Sequence, residues 1–224
     1  MGSDVLIDHA IGRLASVTDA VAVNAHRTQP TLVAHVQGRA HVSVEDGEAL
    51  GTAGALGHLR RWIDGRDVVV VNGDTWCPGD LRHLVQGWDR HTIRILVPGD
   101  EPFGPRAPVA GALLPWDVVV RLPDEPAGLW ELSWRDALAE GRIETVAHRG
   151  PFVDCADPVD YLRANLAAAG GSVIGADARV EGEVDESVVW PGAVVHSGER
   201  LWRAIRTDAG TTVLIRREVD LRLR

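Results

Sequence analysis

The sequence predicts an α/β protein with a mostly parallel sheet, followed by a short hexapeptide β-helix. Two observations carry this. Helical and strand patterns alternate over the first two-thirds of the chain, as they do where helices cover both faces of a parallel sheet. After Gly170-Gly171 the apolar spacing changes to six residues, with small or turn residues filling the gaps.

The elements follow in order. Leu6, Ile7, Ala10, Ile11 and Leu14 recur at helical spacing, and Ala20 to Val23 is a short apolar strand. Thr31 to Val36 fits a second helix and Ala40 to Val44 another strand. Ala53 to Ile63 is helical, with Leu56, Leu59 and Trp62 on one face. Asp67 to Asn72 is a continuous valine run, the mark of a strand covered on both sides. Leu81 to Val85 reads as helix, Thr92 to Val97 and Val109 to Leu114 as strands, Glu131 to Glu140 as helix and Ile143 to Ala147 as strand. Tyr161 to Ala168 is a helix ended by glycines. Ile174 and Val180, then Val189, Val195 and Leu201, keep the six-residue period, with Gly175, Gly182, Pro191-Gly192 and Gly198 at the turns. The stretch is too short to bury a core alone, so it leans on the first domain or on a partner chain, and a homo-oligomer through it is expected. Val213, Ile215, Val219, Leu221 and Leu223 alternate with polar residues and predict edge strands. The expected organisation is residues 1–169, 170–210 and a tail of 211–224.

Composition narrows the function classes. A chain of 224 residues with 45% hydrophobic and 25% charged residues is that of a folded globular protein. A net charge of −9 disfavours nucleic-acid binding, which wants a basic stripe. No apolar run reaches the length of about eighteen residues that a membrane span needs, and Met1-Gly2-Ser3-Asp4 does not open a signal peptide. Two cysteines, Cys77 and Cys155, read as reduced thiols of a cytoplasmic protein. There is no lysine, so chemistry centred on one is excluded for this chain.

Three stretches could carry chemistry. Leu50-Gly51-Thr52-Ala53-Gly54-Ala55-Leu56 follows Glu45 to Glu48 at a strand-to-helix junction. Glycines there let a ligand approach the backbone, and a helix N-terminus offers free N–H groups. The alternative is a tight turn with Thr52 as N-cap. Val68 to Asn72, then Gly73-Asp74, places an aspartate past the end of a strand, where open α/β sheets bind ligands and where an oxygen ligand for Mg²⁺ belongs. A plain Asn-Gly-Asp bend is the alternative. In Phe152-Val153-Asp154-Cys155-Ala156-Asp157-Pro158, Asp157 reads as an N-cap and Pro158 as the first helical residue. Asp154, which has no such capping role, is the second candidate carboxylate.

These pieces, in this order, with Ala110-Gly111-Ala112 between the second and third and hexapeptides after, resemble the sugar-phosphate nucleotidyltransferases. The nearest kinds are mannose-1-phosphate guanylyltransferase-like and glucose-1-phosphate thymidylyl- or uridylyltransferase-like proteins. The resemblance runs from about Leu6 to Ile205. It implies the nucleotide-diphospho-sugar transferase type of fold with a left-handed β-helix, and an NDP-sugar and pyrophosphate made from a nucleoside triphosphate and a sugar-1-phosphate. It implies Asp74 and Asp154 as catalytic ligands of Mg²⁺. It also implies Glu48, Gly51, Thr52 and Gly54 beside the base and ribose, Gly111 beside the sugar, and Arg106 in the region of the sugar phosphate.

The chain departs from the pattern in named places. The family's opening strand and glycine-rich loop, Gly-x-Gly-Thr-Arg…Pro-Lys, have no counterpart, so the first strand of the sheet is expected to be missing. Such a gap should leave unpaired backbone. Arg106 stands where the family uses a lysine, and Ala156-Asp157 where it uses Gly-Thr. Two explanations stay open: a segment lost from this chain, or a non-catalytic nucleotide-sugar binding or regulatory subunit. A hexapeptide acyltransferase is excluded by the small number of coils. The nine histidines show no metal-ligand spacing. The eight tryptophans are read as core or interface anchors, with Trp76 a candidate to stack on a ligand.

Overall fold

The apolar spacing at the start forms helix α1 (Leu6–Leu14). The computed structural model describes residues 5–100 and 102–216. Along the chain follow β1 (Ala22–His26), α2 (Pro30–Val36), β2 (His41–Glu45), α3 (Gly51–His58), α4 (Arg60–Ile63), β3 (Val68–Val70), β4 (Thr75–Trp76), α5 (Arg82–Val85), β5 (Ile93–Pro98), β6 (Gly111–Leu114) and α6 (Trp116–Val119). A π-helical turn, Trp130–Trp134, leads into α7 (Arg135–Ala139), then β7 (Ile143–His148), β8 (Val153–Asp154) and α8 (Pro158–Ala169). The last third holds β9 (Val173–Ile174), β10 (Arg179–Val180), β11 (Glu183–Asp185), β12 (Val188–Val189), β13 (Val194–Val195), β14 (Arg200–Trp202), β15 (Ala204–Arg206) and β16 (Thr212–Leu214).

The chain packs as two units. The sheet unit comprises residues 11–72 and 79–149; the coil unit comprises residues 5–10, 73–78 and 150–216.

In the sheet unit the order is β3-β6-β5-β7, with β1-β2 a separate parallel pair. The expected mostly parallel sheet is not what forms. β6 runs antiparallel to both β3 and β5, and only β5 and β7 are parallel in the larger sheet. Among the described residues no helix lies between Pro98 and Gly111, and the chain returns antiparallel instead of crossing over. The apolar run of β6 reads the same in either direction. β3 pairs on one side only, and its valines are half-buried where a doubly covered strand was expected. The core gathers Leu56, Ile63, Ile93, Ile95, Leu114 and Val119.

In the coil unit α8 begins as expected. Asp157 Oδ1 accepts from the Asp160 amide at 2.9 Å, and Pro158 opens the first turn. Gly170 ends it at φ +72°. Leu162 and Leu166 then pack on Val173, Val188 and Ile205. These last three stack in parallel as β9, β12 and β15. β10 pairs with β13 and β11 with β14, also in parallel. Stacked partners lie 15 residues apart from β9 to β12 and from β10 to β13, and 17 apart from β11 to β14 and from β12 to β15, so the spacing changes between Val180 and Glu183. Ile174 and Val180 belong to the same columns as Val189 and Val195, yet are 47% and 38% exposed while their partners are buried. They sit on the first coil, with no coil beyond it to cover them. β16 runs antiparallel on β15; the predicted second half of the tail strand lies outside the described residues.

Candidate functional site

Two acidic side chains that lie 80 positions apart in the sequence meet on one small antiparallel ladder of the coil unit. Thr75 pairs with Asp154 and Trp76 with Val153, and the Cys155 amide donates to the Asp74 carbonyl at 3.1 Å. The ladder is anchored by a small apolar cluster of Trp76, Val153 and Ala164, with Leu6, Cys155 and Ala167 against it. Trp76 is buried there, a core residue and not a free ring for stacking. Ile7 packs on the other end, its Cδ1 at 3.0 Å from where a Gly73 Cβ would stand. The turn at Gly73-Asp74 is therefore held close to the helix.

The electrostatics of this ladder are one-sided. Partial burial raises the Asp154 carboxyl above its ordinary value, and the Asp74 and Asp160 charges raise it further. Neither Asp74 nor Asp154 has a hydrogen-bond or ion-pair partner for its side chain among the described residues, whereas Asp160 is paired with Arg163 at 2.6 Å. Among the described residues no cluster of three or more His, Cys, Asp or Glu is arranged to hold a metal. Asp74 and Asp154 are both exposed, and two such carboxylates are hard-oxygen donors of the kind that could hold a partly hydrated Mg²⁺. Cys155 is no nucleophile here: burial, and then the charges of Asp160, Asp154 and Asp74, push its thiol up to about 11, only partly offset by a main-chain hydrogen bond from Trp76.

The remaining predicted residues lie in the sheet unit. Gly51 opens α3 at φ +66°, and Gly54 is buried. Their space is filled by the chain itself. A Cβ on Gly51 would stand 2.7 Å from the Ala127 carbonyl oxygen, one on Gly54 2.3 Å from that of Glu125, and one on Gly57 1.9 Å from that of Pro123. Two of the amides expected to be free at this helix start are also taken. Ala53 N–H donates to the Ala127 carbonyl at 3.1 Å, Gly54 N–H shares that oxygen at 3.5 Å, and Ala127 N–H returns to the Leu50 carbonyl at 2.9 Å. Thr52 is exposed and is not the N-cap; Leu50 holds that place without a side-chain bond.

Glu48 is exposed in the loop before α3, and Arg106 is exposed in the turn closed by Ala107 N–H on the Gly104 carbonyl. Gly111 is buried at the start of β6, but a Cβ there would meet only ordinary contacts, Val70 O at 3.5 Å being the nearest. Packing alone does not require glycine at 111.

Sequence reasoning missed Glu45. It is 5% exposed, accepts from Asn24 Nδ2 at 3.1 Å and from the Leu50 amide at 3.0 Å, and so fixes the entry to α3. The signal was present: Ser43 and Glu45 alternate onto the inward face of β2. His26 holds the same loop, its Nε2 donating to the Gly47 carbonyl at 2.7 Å and its Nδ1 facing Thr28 Oγ1 at 2.7 Å.

No protein-family model and no curated protein matches the sequence. Solved structures do match in fold. One described as a glucose-1-phosphate thymidylyltransferase of Bacillus anthracis, in complex with sucrose, aligns at 17% identity and a TM-score of 0.63, over 75% of this chain and 83% of that one. One described as a mannose-1-phosphate geranyltransferase of Thermus thermophilus aligns at 13% identity and a TM-score of 0.67, over 95% and 85%. HddC of Yersinia pseudotuberculosis aligns at 16% identity and a TM-score of 0.55, over 71% and 83%. At such identities the likeness is one of fold. The shared part is a mixed α/β fold, which agrees with the resemblance at that level, and among the described residues no helix is long and apolar enough to cross a membrane.

Proposed function

We propose that this chain is a sugar-1-phosphate nucleotidyltransferase, joining a nucleoside triphosphate to a sugar-1-phosphate with release of pyrophosphate. The observation that carries this is the pair Asp74 and Asp154 brought together by one ladder, with no ion-pair partner for either among the described residues. The two carboxylates would hold Mg²⁺, which supplies charge neutralisation at the α-phosphate. The reaction then needs in-line positioning more than covalent help: a phosphate oxygen of the sugar-1-phosphate attacks the α-phosphorus and pyrophosphate leaves. Exposed Thr52 and Glu48 would meet the base and ribose, and so would Gly51 and Gly54 on whatever side their packing leaves open. Gly111 would admit the sugar ring, and Arg106 its phosphate. The shared fold supports this reading, and so does a position 111 where the chain's own packing leaves the choice of glycine unexplained.

We read the parallel ladders after residue 170 as the short left-handed β-helix that the repeat implies, on a first domain of about 1–169 with 170–210 as the repeat module and 211–224 as tail. Exposed Ile174, Val180 and Trp202 support a homo-oligomer through that module. The protein is taken to be cytoplasmic.

A second reading, a non-catalytic nucleotide-sugar binding or regulatory subunit, is favoured by one observation. Two of the α3 amides that could meet a phosphate, those of Ala53 and Gly54, are bonded to Ala127. Pyrophosphate release from GTP, dTTP or UTP with a sugar-1-phosphate and Mg²⁺ tests the first reading. Calorimetry separates the two: heat with an NDP-sugar but with no triphosphate leaves the regulatory reading standing and removes the enzyme.

A further inference from the structure

Thr75 follows Asp74 in the chain and pairs with Asp154 on the ladder, and β-sheet packing does not explain its side chain. It is 4% exposed, and its hydroxyl oxygen is buried with no hydrogen-bond partner among the described residues. A buried hydroxyl left unpaired carries its desolvation cost uncompensated. Valine has nearly the same shape, equal fitness for a strand, and none of that cost. A threonine here therefore asks for a polar partner that the described residues do not supply.

The ladder says where that partner would be. Because the Cys155 amide bonds the Asp74 carbonyl, Asp74 and Cys155 form a hydrogen-bonded pair, and the next pair, Thr75 with Asp154, is of the non-bonded kind. In such pairs the Cα atoms are only about 4.5 Å apart and the two side chains leave the same face. The side chain across the ladder from Thr75 is that of Asp154. We propose that Thr75 is a positioning residue. Its hydroxyl orients the Asp154 carboxylate, directly or through one water, when a divalent cation occupies the Asp74–Asp154 pair. The inference rests on the reading of that pair as the cation site.

The test uses the full chain, Mn²⁺ alone as probe, and thermal unfolding without metal. T75V is expected to melt no lower than the parent, because it removes an unpaired buried hydroxyl, yet to bind Mn²⁺ about tenfold more weakly, as outer-sphere partners of ligands do. T75S keeps the hydroxyl and loses the methyl, so its affinity should stay within about twofold of the parent. Parental Mn²⁺ affinity in T75V, or a loss in T75S as large as in T75V, overturns the role of the hydroxyl while leaving the carboxylate site intact. Equal Mn²⁺ binding by the parent and D154N overturns the site itself, and this inference with it.

Discussion

The glycine turn of the sheet unit and the acidic ladder of the coil unit use their special residues in opposite ways. At Gly51, Gly54 and Gly57 the missing side chains are filled by the carbonyls of Ala127, Glu125 and Pro123, and the Ala53 and Gly54 amides are bonded to the same segment. At Asp74, Thr75 and Asp154 the polar side-chain groups have no partner among the described residues, and the charges repel. A spelling shared by many ligand-binding loops can thus be satisfied from within, while a plain two-residue strand keeps open valences. The region with unmet polar demand is the better pointer to chemistry.

The largest expected effect probes the filled side of that comparison. Gly57→Ala drives a methyl into the Pro123 carbonyl, a backbone atom that cannot rotate away. Alanine would add about 1 kcal/mol of helix propensity, but overpacking against main chain should cost roughly 3 kcal/mol or more. Urea unfolding should show a net loss. A stable variant would mean that the 122–127 segment can leave α3, and that the helix face is a ligand surface after all.

The next probes the open side. Asp74→Asn removes one of two repelling charges, so the melting temperature should hold or rise slightly while Mg²⁺-dependent nucleotide binding falls about tenfold or more. The pH dependence follows from Asp154. Its carboxyl is raised in the folded state, so stability is fullest below the ordinary carboxylate value of 3.8 and declines as pH rises from there through the folded value. A bound cation favours the ionised form, so Mn²⁺ affinity should climb through that same window and level off above it. A flat titration from about pH 3.5 to about 7, read by calorimetry, would separate Asp154 from the cation.

Much of this contrast was legible in the sequence, for physical reasons that differ by element. Strand positions after residue 170 were readable because apolar residues recur where parallel ladders stack them, Ile174 on Val189 and Val180 on Val195, with glycines at turns between. α8 was readable from Asp157-Pro158 at one end and Gly170 at the other, since caps have local chemistry. Sheet direction was not readable: Gly111-Ala112-Leu113-Leu114 is apolar throughout, and only the absence of a crossover helix before it betrays an antiparallel strand. The ladder of β4 and β8 was invisible as structure, because two residues have no period. Asp154 was still singled out, by having no capping role where Asp157 did. Closure of the α3 amides by Ala127 could not be seen at all, for it joins residues far apart with no shared pattern.

A smaller effect separates Gly111 from the glycines of α3. Gly111→Ala meets Val70 O and Val71 Cγ1 at 3.5 Å, ordinary contact, so stability should change by less than about 1 kcal/mol. If a sugar ring lies against that backbone, calorimetry with a sugar-1-phosphate should lose about tenfold in affinity, the size of effect one misplaced methyl has in a fitted site. Unchanged affinity removes position 111 from the site.

The smallest effect tests whether the acidic ladder stops at Asp154. Asp157 lies three residues on and could be mistaken for a third ligand. Its carboxylate is engaged with the Asp160 amide at 2.9 Å, as an N-cap of α8. Asp157→Ala should cost about 1 kcal/mol in thermal unfolding, the usual value of such a cap. Leu162 and Leu166 still hold the helix on the coil through Val173 and Val188, so the unit should stay folded. Mn²⁺ affinity should then be parental, because the cap faces the helix and not the cation. A loss of affinity beyond what the small destabilisation explains would extend the site by one turn into α8 and make the helix start part of the chemistry.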